Sequence, residues 1–135
     1  MARYVIDPPT LLQIVTGGRQ VDDSHQLVAV NSIRSDVLQL LLEEVRRGER
    51  TDRSALEVHE QITELKMRLL GDRGSRGMAW RIAREHGWDS LREAEYLAVT
   101  KLQADAFVTV DRDLAKRAKA IVPVEPIKAL WSGAR

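Results

Sequence analysis

Two consecutive prolines near the start of the chain, Pro8 and Pro9, constrain its fold more than any other feature. Proline cannot donate a hydrogen bond to a β-ladder or to the interior of an α-helix, but it fits the first turn of a helix, where the N–H groups have no partner. The apolar run before the pair, at residues 4–6, therefore predicts a buried strand over 3–7. A helix is expected to begin at the prolines and to end at Gly17-Gly18.

The alternation of apolar runs with helical periodicity continues along the chain. Further strands are predicted over 27–30, 106–110 and 121–124. Helices are predicted over 33–46, 52–70, 78–86 and 90–103, with a loop over 71–77 and a short helix that carries Leu114 and Ala118. Strands separated by helices favour a parallel sheet covered on both faces. We therefore predict a single α/β domain over 1–135, with a three-layer α/β/α fold and a short, mainly parallel sheet of about four strands.

Composition excludes several kinds of protein and of site. The chain has 135 residues, of which 44% are hydrophobic and 30% are charged, as in an ordinary globular domain. It has no cysteine, and its three histidines lack the usual spacing of a zinc site. The formal net charge of +1 does not by itself indicate nucleic acid as a partner. No apolar run approaches the ~20 residues that cross a membrane, and none resembles a signal peptide, so we expect a cytoplasmic protein without a membrane partner.

Acidic residues end two of the predicted strands. Asp7 closes the first strand, and Asp111 follows the run 106–110 in the same way. In open parallel sheets, sites lie at the carboxyl ends of strands, near the point where the strand order reverses. If the two strands are neighbours, both carboxylates emerge side by side. A single Asp at a strand end is usually structural, whereas two with the same placement are equally consistent with a structural and a functional role.

Three further acids are candidates for the same site, each with a structural alternative. Glu93 follows Ser90 at the spacing of a capping box, in which the carboxylate bonds back to the start of the helix. Asp36 lies on the margin of the apolar stripe of helix 33–46, where such a side chain is usually solvated. Asp113 is either a ligand or an N-terminal acid that favours the dipole of its helix.

Four stretches carry a resemblance to a known family: YVIDPPTLL (4–12), LVAVNSIRSDVLQLL (27–41), SLREAEYLAVT (90–100) and ADAFVTVDRDLAK (104–116). In this order they resemble PIN-domain proteins, and in particular the VapC-type ribonuclease toxins of bacterial toxin–antitoxin pairs. The last stretch is the most specific, because Thr-x-Asp after an apolar strand follows an acid-Ala-x-Tyr-Leu-Ala helix at the expected distance. The resemblance spans nearly the whole chain and implies a PIN-like fold.

The resemblance also implies an acidic metal site. The family's four acids correspond to Asp7, Asp36, Glu93 and Asp111, with Asp113 as an optional fifth. Asp36 stands where the family usually has Glu, and Glu93 stands where it usually has Asp. Pro8 follows the first acid, where Ser or Thr is frequent in the family. The two changes of side-chain length either offset each other or loosen the metal site.

The implied chemistry is hydrolysis of a phosphodiester bond. Mg2+ or Mn2+ prefers oxygen ligands, and a metal-activated water needs no His, Ser or Cys nucleophile. The resemblance thus implies an endoribonuclease that cleaves single-stranded RNA, pairs with a cognate antitoxin and forms a homodimer. The alternative is a PIN-like protein that cleaves little and acts by binding RNA or a protein. The changes at positions 36 and 93 keep this alternative open.

Two other enzyme classes are disfavoured by the residues themselves. A phosphatase of the haloacid dehalogenase type also begins with a strand and an Asp, but it needs a second Asp at position 9, where this chain has Pro9. A response-regulator receiver needs an acidic pair before its first helix and a Lys after a late strand, and neither is evident.

Basic and aromatic residues are candidates for holding RNA. Between 66 and 92 there are seven Lys and Arg against three acids, and a second basic cluster consists of Arg46, Arg47, Arg50 and Arg53. Such charges usually lie on a solvated helix face, but beside a metal site they would bind phosphates. Trp80 and Trp88 are expected in the core, with base stacking as the alternative. The Thr109 hydroxyl either orients a carboxylate or has no special role.

Overall fold

The computed structural model describes residues 2–132. Within them, five strands form one parallel sheet, and they are β1 (Arg3–Ile6), β2 (Gln26–Val30), β3 (Arg68–Leu70), β4 (Ala106–Val108) and β5 (Val124–Glu125). The helices are α1 (Pro8–Thr16), α2 (Ile33–Arg46), α3 (Asp52–Glu64), α4 (Arg73–His86), α5 (Leu91–Gln103) and α6 (Arg112–Ala118), and a 3-10 helix spans Ile127–Leu130. The α/β class is as predicted, with one strand more than expected.

Successive residues of each strand point to opposite faces of the sheet, and each face has its own core. Val5, Val28 and Phe107 pack in the core that includes residues of α4, α5 and α6. Their neighbours Ile6 and Val108 pack in the other core, with residues of α1, α2 and α3. This alternation, which is the pleat of a β-strand, produces the predicted three-layer α/β/α arrangement.

The strand order is β3-β2-β1-β4-β5, so the chain builds the sheet outwards from β1 in two directions. It first adds β2 and β3 on one side and then adds β4 and β5 on the other. The order therefore reverses between β1 and β4, whose register pairs Ile6 with Val108. The carboxyl ends of these two strands meet at the crevice where parallel sheets place their sites. The predicted adjacency of the strands before Asp7 and Asp111 is confirmed.

The predicted helix over 52–70 is wrong in its last turn. Helix α3 ends at Glu64, and the chain then forms β3, which pairs with β2 through Arg68 opposite Val28. The Asn31 N–H also donates to the Leu70 carbonyl at 3.0 Å. Leucines at positions 65, 69 and 70 satisfy a helical pattern as well as a strand, and pairing with β2 decides between them.

The predicted loop over 71–77 is helical for most of its length. Asp72 and Ser75 form a reciprocal capping box: the Ser75 N–H donates to Asp72 Oδ1, and the Asp72 N–H donates to Ser75 Oγ, both at 2.9 Å. Helix α4 therefore begins at Arg73, ahead of the predicted start at 78. The predicted end at Gly87 is confirmed, since that glycine adopts a left-handed C-cap with a φ of 67°.

Two predicted strands are shorter in the structure. Strand β4 stops at Val108, because the Val110 N–H turns away from the sheet to donate to Thr10 Oγ1 at 3.0 Å. Strand β5 comprises only Val124–Glu125, since residues 121 and 122 donate to the Ala118 carbonyl and close the end of α6. Among residues 2–132, no helix combines the length and the apolar character needed to cross a membrane.

Candidate active site

Asp7 lies directly after β1 and is the N-cap of α1. Its Oδ1 accepts hydrogen bonds from the Thr10 N–H at 3.3 Å and from the Thr10 hydroxyl, and its Oδ2 accepts from the Thr109 hydroxyl at 2.7 Å. The side chain is only 1% exposed. Burial raises the pKa of Asp7 above its ordinary value, and the hydrogen bonds from Thr10 and Thr109 oppose this shift. The carboxyl group is therefore held in one orientation at a desolvated position.

Asp111 lies close to Asp7 along the neighbouring strand but is exposed to solvent. It is the N-cap of α6, where its Oδ1 accepts from the Leu114 N–H at 3.1 Å. The Asp111 N–H in turn donates to Thr109 Oγ1 at 3.1 Å. Thr109 thus joins the backbone of one acid to the side chain of the other, which agrees with an orienting role for its hydroxyl.

Asp36 lies in the first turn of α2, with its side chain 14% exposed. Its Oδ2 accepts from the Ser32 hydroxyl at 2.9 Å, and its Oδ1 forms an ion pair with the guanidinium of Arg92. Ser32 occupies the N-cap position of α2 but makes no side-chain cap hydrogen bond. The acid expected to be solvated on the helix margin is instead held by two neighbours.

Glu93 lies in the first turn of α5, and only half of the expected capping box is present. The Ser90 hydroxyl accepts from the Glu93 N–H at 3.1 Å, but Glu93 Oε1 accepts from Arg117 at 3.2 Å. The same guanidinium donates to Asp113 Oδ2 at 2.9 Å. Arg117 therefore bridges Glu93 and Asp113, and Asp113 itself is 79% exposed.

The buried phenol of Tyr96 lies within the electrostatic reach of three of these acids. Burial raises the pKa of Tyr96, and the negative charges of Asp7, Asp36 and Glu93 raise it further. Tyr96 follows Glu93 on α5 and stacks on Phe107 of β4, with ring centroids 6.2 Å apart. The charges of Asp7, Asp36 and Glu93 thus act on the same phenol.

The acids match a hard divalent cation in donor type but not in their present arrangement. All five predicted ligands offer carboxylate oxygens, which Mg2+ and Mn2+ prefer. Within residues 2–132, however, no three His, Cys, Asp or Glu side chains are grouped closely enough to hold a metal ion. Arg92 and Arg117 supply positive charge to Asp36 and Glu93 instead.

Sequence reasoning raised Thr109 as a partner of an acid but missed three others. Arg92 and Arg117 were not singled out, although Arg117 lies one helical turn after Asp113 and Arg92 adjoins Glu93. Thr10 was also missed. It lies three residues after the N-cap Asp7, and at this spacing its hydroxyl can donate a hydrogen bond to the side chain of the N-cap residue. The spacing within α6 was the available signal for Arg117, whereas the pairing of Arg92 with Asp36 depends on how α2 and α5 pack.

The two tryptophans occupy different environments. Trp88 is half-buried, and the guanidinium of Arg117 lies over its ring at 4.7 Å from the centroid. Trp80 is 62% exposed, so its expected place in the core is wrong. Trp80 lies on the outer face of α4, whereas the nearby residues Ala79 and Ile82 are buried on its inner face.

A cavity of about 760 Å3 lies elsewhere, between the segments that precede β2 and β3. Its lining includes His25, Lys66 and Arg68 but none of the five candidate acids. Because parallel strands begin at the opposite edge of the sheet from their carboxyl ends, this cavity is separate from the acidic site.

Comparison with known proteins identifies the fold alone. No family model matches the chain, and no curated protein matches it. Among solved structures it is similar to PAE2754 from Pyrobaculum aerophilum, with a TM-score of 0.73 over 96% of this chain and 92% of that one, at 20% sequence identity. Both chains thus have the same overall architecture.

Proposed function

We propose that this protein is a metal-dependent endoribonuclease that cleaves single-stranded RNA. One observation carries the proposal: Asp7 and Asp111 follow the adjacent parallel strands β1 and β4, at the point where the strand order reverses. The charges of Asp7, Asp36 and Glu93 all raise the pKa of the buried Tyr96 phenol. The resemblance to PIN-domain ribonucleases, stated above on four stretches of sequence, supports the same function.

In this proposal each side chain has a separate task. Asp7, Asp36, Glu93 and Asp111 would hold Mg2+ or Mn2+, with Asp113 at the margin. A cation held there would supply an activated water and neutralise charge on the scissile phosphate. Thr10 and Thr109 fix the orientation of the Asp7 carboxylate before any ligand arrives. The raised pKa of Asp7 favours a cation there, since the ionised form is poorly solvated.

The proposal is tested with purified protein and a labelled single-stranded RNA. Cleavage is expected with Mg2+ or Mn2+ and is expected to stop in EDTA. Asp7→Asn keeps the size and the N-cap of the side chain but removes its charge, so cleavage should fall by several orders of magnitude while the fold remains. Cleavage that persists in EDTA or in Asp7→Asn at the native rate would exclude this mechanism.

A second candidate function is binding of RNA or of a protein with little or no cleavage. The ion pairs of Asp36 with Arg92 and of Glu93 with Arg117 favour it, because both acids already have cationic partners. Isothermal titration with Mn2+ separates the two functions. A nuclease should bind Mn2+ at a site that Asp7→Asn weakens, whereas a binding protein should show no such site.

The biological setting is proposed on the resemblance alone. A VapC-type toxin pairs with a small antitoxin and forms a homodimer, so we extend the proposal to both partners and to a cytoplasmic location. Light scattering of the purified protein gives its oligomeric state directly. Expression in a bacterial host tests toxicity: growth should be arrested by the native protein and should continue with Asp7→Asn.

A further inference from the structure

Helix α4 presents a basic and aromatic surface that the acidic site does not use. Arg73, Arg76, Trp80 and Arg84 follow one another at spacings of three or four residues and are all exposed, so they share one outer side of the helix. We call these four residues the α4 face. Position 77, between them, is a glycine, and a Cβ there would meet nothing within 4 Å.

The arginines of the α4 face have no acidic partner. Among residues 2–132, Arg73, Arg76 and Arg84 form no ion pair with a nitrogen–oxygen distance within 4.0 Å. Six such ion pairs are present elsewhere in the same residues. The second basic cluster behaves differently, because three of its four arginines pair with nearby glutamates: Arg47 with Glu49, Arg50 with Glu44, and Arg53 with Glu57. The α4 face therefore offers three arginines without an ion-pair partner on one side of a helix, which the second basic cluster does not.

Trp80 adds a flat, exposed ring to these charges. It is 62% exposed, whereas the other strongly exposed large hydrophobic residues are leucines on α2, α3 and α5. An indole ring flanked by guanidinium groups suits the stacking of a base whose phosphates lie on either side. Bases in a duplex do not expose their faces, so this chemistry selects a single strand.

Both ends of α4 adjoin the acidic site. At its start, the Gly71 carbonyl accepts from Asn31 Nδ2 at 3.1 Å, just after the carboxyl end of β2. After its end, Trp88 packs against Arg117, which holds Glu93. The segments that flank the helix carrying the α4 face therefore contact residues that neighbour the candidate acids.

We propose that the α4 face binds single-stranded RNA, with Trp80 stacking on a base and Arg73, Arg76 and Arg84 contacting phosphates. This inference rests on the proposed function for its choice of nucleic acid, and it names where that function holds its substrate. An acidic protein would also complement the arginines, but it would not require an exposed indole between them. Binding does not depend on the metal, because the α4 face contains none of the candidate ligands.

The test measures binding separately from cleavage. A fluorescently labelled single-stranded RNA of about ten nucleotides, within the ~4–16 that such surfaces cover, is titrated with Asp7→Asn protein in EDTA, and anisotropy is recorded. In that background Trp80→Ala should weaken binding roughly 5- to 100-fold, as expected for the loss of one stacked base. Arg76→Ala with Arg84→Ala should flatten the slope of log K against log salt by about 1.4, since each phosphate contact in a single strand contributes ~0.7.

Matched variants on α2 and α3 serve as controls. Leu56→Ala removes another exposed apolar side chain, and Arg47→Ala with Arg53→Ala removes two paired arginines. Both should bind RNA as the Asp7→Asn protein does. Circular dichroism should show native helix content in every variant, since all these side chains are exposed. RNA binding that is equal in Trp80→Ala and Leu56→Ala, or a salt slope unchanged by the α4 substitutions, would overturn the proposal and favour an acidic protein as partner.

The two proposals fail in different ways. A native protein that binds RNA through the α4 face but never cleaves it would contradict the nuclease and leave this inference intact. A native protein that cleaves RNA while Trp80→Ala and the α4 arginine variant cleave it with unchanged KM would contradict this inference alone.

Discussion

The Thr109 hydroxyl donates a 2.7 Å hydrogen bond to Oδ2 of Asp7, although the two residues lie 102 positions apart in the chain. The oxygen of that hydroxyl, Thr109 Oγ1, also accepts the Asp111 N–H at 3.1 Å. One threonine after β4 therefore fixes the carboxylate after β1 and, at the same time, the backbone of the second strand-end acid. This link makes the two acids a single structural unit.

Thr109→Val tests that unit. Valine keeps the shape but removes both hydrogen bonds, so we expect a loss of about 1–3 kcal/mol in unfolding free energy, because a buried carboxyl oxygen and a backbone N–H lose partners. Cleavage should fall more than stability alone explains, since Asp7 Oδ2 loses its hydrogen bond and only Thr10 still holds the carboxylate. Urea denaturation and single-turnover cleavage measure the two effects.

Thr100→Val is the matched control for Thr109→Val. Thr100 is equally buried, and its hydroxyl donates to the Tyr96 carbonyl within α5, away from Asp7. It should lose some stability and cleave RNA near the native rate. Equal cleavage by both variants would contradict an orienting role for Thr109.

Asp7→Asn should change the dependence of stability on pH. Burial raises the pKa of the folded Asp7 above its ordinary value of 3.8, so the native state binds more protons than the unfolded state as pH rises from that value. The stability that this proton uptake contributes is fully present below the unfolded pKa of Asp7. It is lost as pH rises through the higher pKa of the folded state. In EDTA, Asp7→Asn should therefore be more stable than the native protein at pH 7, and the difference should shrink towards pH 4. Chemical denaturation of both proteins between pH 4 and pH 7 measures this difference. A native protein that is more stable than Asp7→Asn at pH 7 would refute the prediction.

Glu93→Gln and Glu95→Gln form a pair that separates a ligand from a neighbour. Gln at position 93 keeps the Ser90 cap, which uses only the Glu93 backbone N–H, so stability should change little. Mn2+ affinity and cleavage should nearly vanish, because the charge is lost. The Glu95 carboxylate lies beside Gly71 and not against Arg117, and its variant should retain both. Calorimetric titration with Mn2+ that finds the reverse result would identify Glu95 as the ligand and Glu93 as a residue of the helix start.

Arg117→Ala should strengthen metal binding. A cation at Glu93 competes with the Arg117 guanidinium, which also pairs with Asp113. The pair is about one-third exposed, so its removal should raise Mn2+ affinity by at most about fivefold and cost under ~1 kcal/mol of stability. Arg53→Ala, which removes an exposed pair on α3, is the control and should leave Mn2+ affinity unchanged. Weaker Mn2+ binding by Arg117→Ala would contradict competition.

Local chemistry was enough to predict several elements from the sequence. The proline pair sets the start of α1, Gly87 ends α4 with a left-handed cap, and apolar spacing defines α2 over its whole length. In each case the signal lies within a few residues of the boundary it determines. The strand-end placement of Asp7 and Asp111 was readable for the same reason.

The tertiary structure decided what local patterns leave open. Residues 68–70 form a strand because β2 offers an unpaired edge, and not because their pattern excludes a helix. The ion pairs of Asp36 and Glu93 join residues 56 and 24 positions apart, which only the packing of α2, α5 and α6 brings together. Trp80 became a surface residue because the buried side of α4 is occupied by smaller side chains that pack on α5. The sequence by itself determined which acids and strands this protein has, whereas the fold determined which charge each acid meets, since electrostatic partners depend on distance in space and not along the chain.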